Sequence, residues 1–498
     1  MKKTLTIILL FVFTICQAQV KQDLRVELPA DDPDGTFQAI SFGKEGLISF
    51  RGEKTSKKST RWIFTRMDVN QKQVDSTAFE MPRMLRFREY RVLQERVAFL
   101  FVCESRRAFQ IVMLNFNTMQ TEKINGNLAA KAFVEDMCLI GDYVFLEQMT
   151  KRTPILIIVN LQSKISRKLP LKVQGASRVW TMGLETVGDG NEALIYLGCR
   201  MKSKNATIQV QHWSKEGQMT RKYFISDNDI NNITSLTGSL VSGDRMIFCG
   251  TYSGKSSSKG AGYFVASFTD GERDFIRYYN FLDLENFTNY LTERKQKKLD
   301  RKKKRKEAHG NTMELNLWFV PHQVIELNHQ FYFICEFYFP TYRTVTTTTY
   351  INGRPSTTTH TYFDGYQYTH ASLICFDRDG NKLWDNTFEL FPAYKPFSVI
   401  RFVAANVQPE GKVDLMYSSM NRLFSRSFDS QGKIVKSTNV EGIDTGGEDE
   451  KTKRTISSIE YWYDNHFLAY GMQRIKNREK ADKPKKRDVF FINKVSTE

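Results

Sequence analysis

Short runs of apolar residues, separated by polar turn residues, fill almost the whole chain. The runs are rich in β-branched and aromatic residues, and Gly, Asn, Asp and Ser lie between them. Such runs predict β-strands joined by tight turns, whereas apolar residues at helical spacing are rare. The pattern therefore predicts an all-β protein whose many short strands build a sandwich, a barrel or a ring of sheets.

One turn recurs and distinguishes between these architectures. An apolar residue ends a strand, a turn-forming polar residue follows it, and the next strand starts two to four residues later. The seven copies begin at Met67-Asp68, Leu114-Asn115, Val159-Asn160, Trp213-Ser214, Phe268-Thr269, Phe376-Asp377 and Phe428-Asp429. Asp, Asn, Ser and Thr suit the second position because their side chains bind the backbone two residues on. The copies are 45 to 55 residues apart, apart from one interval of 108, which predicts one four-stranded sheet per repeat.

With this repeat the chain resembles the β-propeller superfamily as a whole, over nearly all of residues 19–498. A chain of 498 residues is too long for one ordinary core, but a ring of repeated sheets grows without thickening. The resemblance implies one propeller domain. The seven turns and a further set of strands at 458–463, 466–472 and 489–494 favour eight blades. Seven blades with an irregular C-terminal cap are the alternative.

The last set of strands lacks a fourth member, whereas residues 20–28 form a strand that belongs to no other blade. If these segments pair, the ring closes and an exposed sheet edge is covered. We therefore predict that residues 20–28 pair with residues 489–494.

The first of two insertions, residues 284–311, is predicted to be a basic helix. Asp283 is a suitable cap, and Leu284, Phe287 and Leu291 lie at helical spacing. Residues 294–306 contain ten basic residues and one acid. Such a run is either a solvated helix or an anion-binding arm. The binding residues predicted on it are Arg301, Lys302, Lys303, Lys304, Arg305 and Lys306.

The second insertion, residues 340–370, is predicted to be a hairpin rich in Thr and Tyr. It turns at Asn352-Gly353, the strongest short hairpin signal. Pairing about this turn places Tyr350 opposite Pro355, Thr348 opposite Thr357 and Thr346 opposite Thr359. Tyrosine offers a flat apolar ring and a hydroxyl for a sugar or a protein partner, although the same rings also serve to dock a hairpin. The binding residues predicted on it are Tyr342, Tyr350, Tyr362 and Tyr366.

Residues 1–18 have the pattern of a signal peptide. Lys2 and Lys3 precede an apolar run, and the small residue Ala18 favours cleavage before Gln19. Lipid attachment at Cys16 is disfavoured because Ile15 is not the small residue that this modification requires. Since no later run of 18 apolar residues exists, we expect an exported protein, periplasmic or extracellular, without a transmembrane span in the mature chain.

Charge restricts the kinds of partner. The formal net charge is +17, and loss of Lys2 and Lys3 leaves +15. Because an exported protein rarely meets nucleic acid, the expected partner is an envelope protein or an anionic polysaccharide or lipid surface.

The six cysteines after Cys16 lie within or beside apolar strand-like runs and form no C-x-x-C pair. They are Cys103, Cys138, Cys199, Cys249, Cys335 and Cys375. This placement predicts buried free thiols, although disulfides are possible in an exported protein.

Motifs for phosphate binding, zinc hydrolysis and nucleophile elbows are absent from the sequence. His322 and His329 form the closest histidine pair, but their spacing is not that of a known metal site. The segment 31–35 resembles a turn more than a calcium loop. No cofactor, metal or catalytic residue is therefore predicted.

The preferred function is an exported, non-catalytic binding or scaffold protein of the cell envelope. The alternative is a secreted propeller enzyme, a hydrolase or lyase, that acts on a polysaccharide or a peptide. A ring of carboxylates and aromatic residues from several blades favours the enzyme, whereas a flat, basic, Tyr-lined face favours the scaffold.

Overall fold

Strands make up most of the chain, as the alternating pattern predicts. The structure, a computed structural model, describes residues 20–30, 36–151, 153–201, 206–225, 232–254, 258–351, 354–443, 445, 450–477 and 486–497. The predicted signal peptide, the turn at 31–35 and the hairpin tip at 352–353 lie outside these ranges. Within them the strands form eight antiparallel sheets, which we number in chain order.

The strand β1 (Val20–Pro29) precedes the first sheet. Sheet 1 contains β2 (Phe37–Ser41), β3 (Leu47–Lys54), β4 (Ser59–Met67) and β5 (Gln73–Pro82). Sheet 2 contains β6 (Arg86–Leu93), β7 (Arg96–Cys103), β8 (Ala108–Asn115) and β9 (Thr121–Asn127). Sheet 3 contains β10 (Val134–Ile140), β11 (Tyr143–Met149), β12 (Pro154–Asn160) and β13 (Ser166–Pro170). Sheet 4 contains β14 (Ala176–Val187), β15 (Glu192–Met201), β16 (Ala206–Ser214) and β17 (Met219–Ile225).

Sheet 5 contains β18 (Asn232–Ser242), β19 (Arg245–Ser253), β20 (Gly262–Thr269) and β21 (Glu272–Asn280). The helix α1 (Glu293–Glu307) follows it. Sheet 6 contains β22 (Trp318–Pro321), β23 (Ile325–Leu327), β24 (Gln330–Ile351), β25 (Arg354–Phe376) and β26 (Lys382–Glu389). Sheet 7 contains β27 (Val403–Val407), β28 (Val413–Ser419), β29 (Arg422–Phe428) and β30 (Ile434–Gly442). Sheet 8 contains β31 (Glu450–Tyr463), β32 (His466–Asn477) and β33 (Lys486–Thr497). Short 3-10 turns span Gly43–Glu45, Glu104–Arg106, Gly188–Gly190 and Phe281–Asp283.

The strand β1 completes sheet 8. It pairs antiparallel with β33, and its register places Val20 opposite Thr497 and Leu28 opposite Phe490. The prediction that residues 20–28 pair with residues 489–494 is therefore confirmed. Sheet 8 thus has four strands, in the order β1-β33-β32-β31.

Apolar side chains fill the space between each sheet and the next. Between sheets 1 and 2 lie aromatic rings such as Phe50 and Phe99, which meet edge to face with centroids 5.1 Å apart. Between sheets 8 and 1, Met67 packs in one cluster with Trp462 and Phe490. Because sheet 8 packs on sheet 1 as well as on sheet 7, the sheets close into a ring. The fold is an all-β propeller, as predicted. The number of blades, for which eight is preferred, stays a prediction.

The recurrent turn has the structure that its residues predict. In the turn between β4 and β5, Asp68 Oδ1 accepts hydrogen bonds from the backbone N–H groups of Asn70 at 2.9 Å and Lys72 at 2.8 Å. Asp377 and Asp429 accept the same two bonds in their turns. The Asp side chain therefore supplies the hydrogen-bond acceptor that these N–H groups of the turn would otherwise lack.

Several of these turns also join their sheet to the sheet before it. Arg66 in β4 donates to the carbonyl of Phe116 in the turn of sheet 2, at 3.2 Å. Trp384 in β26 donates from Nε1 to the carbonyl of Ser430 in the turn of sheet 7, at 3.0 Å. Its ring covers Gly432, which has φ 76° and where a Cβ atom would lie 2.4 Å from the indole. Only glycine meets both the left-handed backbone and this close approach.

The helical insertion is shorter than predicted. The helix α1 starts at Glu293, with Thr292 as its N-cap residue, so the prediction that Asp283 caps a helix over 284–311 is wrong. Leu284 and Phe287 instead lie buried in the core between sheets 5 and 6. Apolar spacing suited a helix, but burial of these two side chains holds the segment in turns against the sheets.

The second insertion is the predicted hairpin. The strands β24 and β25 extend beyond sheet 6 and pair along the insertion. Tyr350 lies opposite Pro355, and Thr348 lies opposite Thr357, which is the predicted register. The side chains of residues 342–350 and 354–362 are exposed.

No helix within the described residues is long and apolar enough to cross a membrane.

All six cysteines in the described residues are free and buried, as predicted. Burial raises the pKa of the Cys199 thiol to about 11 and that of the Cys375 thiol to about 12. Buried thiols of high pKa react slowly because the thiolate is the reactive species.

We predict that a chain starting at Gln19 contains six titratable thiols after denaturation without reductant. A thiol-specific disulfide reagent should label few of them in the native protein, because each is buried and protonated. Prior reduction serves as the control and should leave the number unchanged. Thiols that become titratable only after reduction would contradict the prediction.

Candidate binding face

Both insertions emerge on the same face of the propeller. Successive strands of an antiparallel sheet run in opposite directions, so the connection between second and third strands leaves the sheet at the same end as the connection to the next sheet. The hairpin joins the second and third pairing strands of sheet 6, and α1 lies between sheets 5 and 6. The connection from sheet 6 to sheet 7, residues 390–402, also lies there. We call this end the insertion face.

The segment before α1 is fixed to sheet 6 by a buried aspartate. Asp385 in β26 accepts hydrogen bonds from the backbone N–H groups of Glu285 at 3.0 Å and Asn286 at 2.8 Å. Lys382 binds both carboxylates, Asp385 at 3.3 Å and Glu285 at 2.9 Å. The chain therefore reaches α1 from an anchored position.

This segment also covers the base of the hairpin. Tyr290 stacks on His370 of β25, with ring centroids 3.6 Å apart, and His370 stacks on Phe337 of β24. Burial lowers the pKa of His370 to about 3, so its ring is neutral at physiological pH. The two insertions are therefore packed against each other where they leave the sheets.

The helix α1 is held to this base by one of its faces. Gln296 donates to the carbonyl of Thr288 at 2.9 Å. About two turns later, on the same face of the helix, Lys303 donates to the carbonyl of Leu282 and to the Asp283 carboxylate, both at 2.8 Å. Lys303 is accordingly half-buried, whereas the other nine basic residues of 294–306 are exposed.

The exposed cations form a line opposite the attached face. At 100° per residue, the four side chains furthest from Gln296 and Lys303 project in nearly one direction. They are Arg294, Lys298, Arg301 and Arg305. At 1.5 Å per residue they span about 16 Å along the helix. The arrangement presents a cationic row whose orientation is set by the docked face.

Aromatic side chains surround the hairpin where it leaves the sheet. Phe363 lies 5.9 Å from Tyr342, 5.0 Å from Tyr366 and 5.9 Å from Phe397, between ring centroids. Lys395, from the same connection as Phe397, forms an ion pair with the neighbouring Asp364 at 2.9 Å. Phe397 is nonetheless 75% exposed and Tyr342 is 63% exposed. This part of the insertion face therefore offers apolar ring surface to solvent.

The structure brings only some of the predicted binding residues together. Tyr342 and Tyr366 share the cluster around Phe363, although Tyr366 is half-buried. Tyr350 is 75% exposed and lies eight residues from Tyr342 along the strand, about 27 Å at 3.4 Å per residue. Tyr362 is exposed beside the histidine at 360. On α1, Arg301, Lys302, Lys304, Arg305 and Lys306 are exposed, and Lys303 is a docking residue.

Carboxylates from several sheets also gather at the axis. The first strand of each sheet pairs on one side only, so its other edge carries N–H groups without strand partners. Glu185 in β14 accepts from the N–H of Gly238 in the first strand of sheet 5, at 2.9 Å. Glu336 accepts from the N–H groups of Phe402 and Val403 of sheet 7, each at 2.9 Å. These carboxylates bind the inner edge of the next sheet.

One cluster on the axis has strongly perturbed acidity. Arg91 of sheet 2 binds Glu89 at 2.8 Å and Asp136 of sheet 3 at 2.6 Å. Burial, opposed by Arg91, raises the pKa of Glu89 to about 7. Burial together with the neighbouring charges of Asp136, Glu135 and Glu89 raises the pKa of Glu147 to about 9. Glu147 is only 1% exposed, and its Oε2 has no hydrogen-bond partner among the described residues.

Sequence reasoning did not identify these axial acids. A signal was present, because Glu147 and Glu336 each interrupt an apolar run that predicts a buried strand. A charged residue in such a run requires a buried partner. The partner itself was not predictable, since it lies in another sheet.

The histidine pair forms no metal site. His322 Nε2 lies 2.8 Å from the Glu336 carboxylate, and His329 lies in the turn between β23 and β24 with φ 60°. Within the described ranges, no group of three or more His, Cys, Asp or Glu side chains is arranged to hold a metal ion.

No protein-family model and no curated protein matches the chain. Solved structures do match it. One is a polysaccharide lyase, Uly1, at 10% identity over 83% of this chain and 90% of that chain, with a TM-score of 0.41. Another is the propeller domain of the Trilobed protease from Pyrococcus furiosus, at 10% identity over 81% of this chain and 98% of that chain, with a TM-score of 0.36. A prolyl endopeptidase matches at 9% identity over 87% of this chain and 54% of its own, with a TM-score of 0.36. These similarities concern the architecture alone.

We predict that Glu147→Gln stabilises the protein at alkaline pH. In the unfolded chain this carboxyl ionises near its ordinary pKa of 4.5, whereas in the folded protein it keeps its proton up to about 9. Stability is therefore lost as pH rises between these values. The variant cannot ionise, so its melting temperature should exceed that of the parent by about 3 °C or more near pH 8.5, with a smaller difference near pH 5.

The exposed Glu272 provides a matched control, because Glu272→Gln removes one carboxyl from the surface. Its melting temperature should follow that of the parent at each pH. Parallel pH profiles for Glu147→Gln and the parent would show that Glu147 is not held in its acid form.

Proposed function

We propose that the chain is exported and is a non-catalytic binding or scaffold protein of the cell envelope, whose insertion face holds an anionic partner. The observation that carries this proposal is the attachment of α1. Gln296 and Lys303 fix the helix to its base, while nine basic side chains remain in solvent. A helix that only aids solubility requires no such attachment.

Attachment matters for affinity because binding normally has to order the groups that make the contact. A cationic row that is already fixed loses less conformational entropy when a partner binds. Nine positive charges on one element also raise the local concentration of anions and the rate of association. The docked arm is therefore suited to a polyanionic surface.

The rest of the insertion face supports a macromolecular partner. The ring surface of Tyr342 and Phe397 lies on the same face as α1. Aromatic residues and Arg are the side chains that contribute most in protein interfaces. In contrast, the only apolar residue among 294–306 is Leu299, which is half-buried. Because α1 thus exposes no apolar face, insertion between lipid chains is less favoured than binding of an acidic polysaccharide or an acidic protein.

Export rests on the sequence of residues 1–18. Their basic start, apolar centre and small residue at 18 are those of a secretory signal. An envelope location supplies acidic polysaccharides, anionic lipids and envelope proteins as partners.

The second candidate is an enzyme, a hydrolase or lyase, that acts on a polysaccharide or a peptide. The observation that favours it is the axial acid cluster, since a pKa of about 7 suits Glu89 to proton transfer. Against it, Glu185 and Glu336 are occupied by backbone N–H groups, and Glu89 by Arg91. We therefore place the binding function on the insertion face.

The test uses a five-Gln variant of the exposed cations, with Arg294, Lys298, Arg301, Lys302 and Arg305 changed and Lys303 retained. Immobilised parent should retain an acidic polysaccharide, such as polyglucuronate, at low salt. Retention should fall steeply with added salt, because the Debye length falls to about 3 Å at 1 M. The affinity of the variant should be at least about tenfold lower than that of the parent. Its melting temperature should be unchanged, since solvated charges contribute little to stability.

The control variant removes five exposed cations from turns at the opposite face, Lys72, Lys164, Lys215, Arg378 and Lys433. It has the same net charge as the five-Gln variant but keeps α1. Equal losses of affinity in both variants would show that net charge alone causes the effect. No loss of affinity in the five-Gln variant would contradict a binding role for α1.

A further inference from the structure

A cavity of about 490 Å³ lies against the inner strands of sheets 6, 7 and 8. Its walls include Ile325 of β23, Val403 and Ala404 of β27 and Ile459 of β31. Binding sites for small molecules have volumes of about 300 to 1,000 Å³. Their walls are mostly apolar and carry a few polar groups. The chemistry of those polar groups indicates what the cavity binds.

Arg401 supplies the unbalanced charge of the cavity. Its side chain is exposed, and its Nε donates to the carbonyl of Pro321 at 2.9 Å, which fixes the guanidinium. Among the described residues, no carboxylate lies within ion-pair distance of Arg401. Arg401 lines the cavity, so its terminal amino groups are available to an anion that enters it. A planar guanidinium held in this way matches a carboxylate, to which it donates two parallel hydrogen bonds.

The other ionisable groups of the cavity already have hydrogen-bond partners. His322 Nε2 lies 2.8 Å from Glu336, whose carboxylate also accepts from the backbone N–H groups of Phe402 and Val403. Burial raises the pKa of Glu460, which accepts a hydrogen bond from the Tyr470 hydroxyl at 2.7 Å. Protonation of Glu460 is thereby favoured. Arg401 is thus the charged side chain of the cavity that has no ion-pair partner among the described residues.

Two tyrosine rings provide flat surfaces for a ligand. Tyr394 packs against Phe402, and Tyr461 packs against Phe467, with centroids 5.7 and 6.0 Å apart. Each tyrosine is still about two-fifths exposed, at 38% and 40%. Rings that are fixed on one side and open on the other suit the apolar face of a sugar ring.

Hydroxyl groups complete the lining. Ser418 lies at 2% exposure on the wall formed by sheet 7, and Ser458 lies exposed on the wall formed by sheet 8. Hydroxyls act both as donors and as acceptors, as sugar hydroxyls do. A purely apolar carboxylate would leave these groups without partners.

We infer that this cavity binds one carboxylate-bearing sugar unit, a uronate, with its carboxylate on Arg401 and its ring beside Tyr394 and Tyr461. None of these residues belongs to α1 or to the hairpin, so the site goes beyond the proposed function and stands independently of it. A protein with both features would bind the same acidic polymer at two places.

The test is calorimetric titration of the full chain with glucuronate and with a glucuronate disaccharide. Glucose and the corresponding neutral disaccharide are the matched neutral probes. We expect the uronates to bind at least about tenfold more tightly than the neutral sugars, and Arg401→Gln to remove that preference. Arg401→Lys keeps the charge but not the paired donors, so its affinity should be intermediate.

Arg378→Gln is the control, because Arg378 is exposed in a turn of sheet 6 at the opposite face. It should bind as the parent does. Equal affinity for neutral and acidic sugars, unchanged uronate binding by Arg401→Gln, or tighter binding of an acetylated dipeptide carboxylate than of the uronates would each overturn the inference. The five-Gln variant of α1 should retain uronate binding in this cavity, which separates this site from the proposed function of the helix.

Discussion

The pairing of β1 with β33 is the interaction on which the ring depends. It joins the two ends of the chain, so that sheet 8 packs on sheet 1 and no sheet ends the series. Arg25 lies at its centre with an 8% exposed side chain, and donates to Gln473 at 2.6 Å and to Asn493 at 3.3 Å. Without β1, the edge of β33 and part of the core between sheets 7 and 8 would face water, because Val20 lies in that core.

A closed ring creates a second constraint at its axis. Each first strand has an unpaired inner edge, and a buried N–H without a partner costs about as much as a lost hydrogen bond. Carboxylates such as Glu185 and Glu336 meet that need by accepting from the next sheet. Polar groups at the axis are therefore used to hold neighbouring sheets together. The surface available to partners is provided by the two insertions, on the face where α1 and the hairpin emerge.

The sequence predicted those features that depend on local chemistry. The turn residue Asp68 and its equivalents indicated the repeat, and the Asn352-Gly353 sequence indicated the register of the hairpin, because both are set by a few neighbouring residues. The same rules failed where distant packing prevails. The segment that carries Leu284 and Phe287 has helical spacing but lies in turns between two sheets. The first strand of sheet 6 is likewise interrupted and forms two short pieces, β22 and β23.

Only part of each candidate site was predicted, because the other part also depends on packing between distant segments. A run of bases is visible in the sequence, but its attachment through Gln296 and Lys303 is not, since their partners are set by the fold of residues 282–288. The cavity around Arg401 has walls from three sheets that lie far apart in the chain. Its residues have no common motif, and only the packing of sheets 6, 7 and 8 brings them together.

Amide hydrogen exchange tests the central claim, closure of the ring by β1, most directly. Protein that consists of residues 19–498 would be labelled in the native state, and its peptides would be followed by mass spectrometry. The account predicts that amides of β1 and β33 that pair with each other are protected as strongly as those of the inner strands of sheet 1, because they open only when the ring opens. Fast exchange throughout β1, with full protection of β33 and of sheet 1, would contradict closure by this strand.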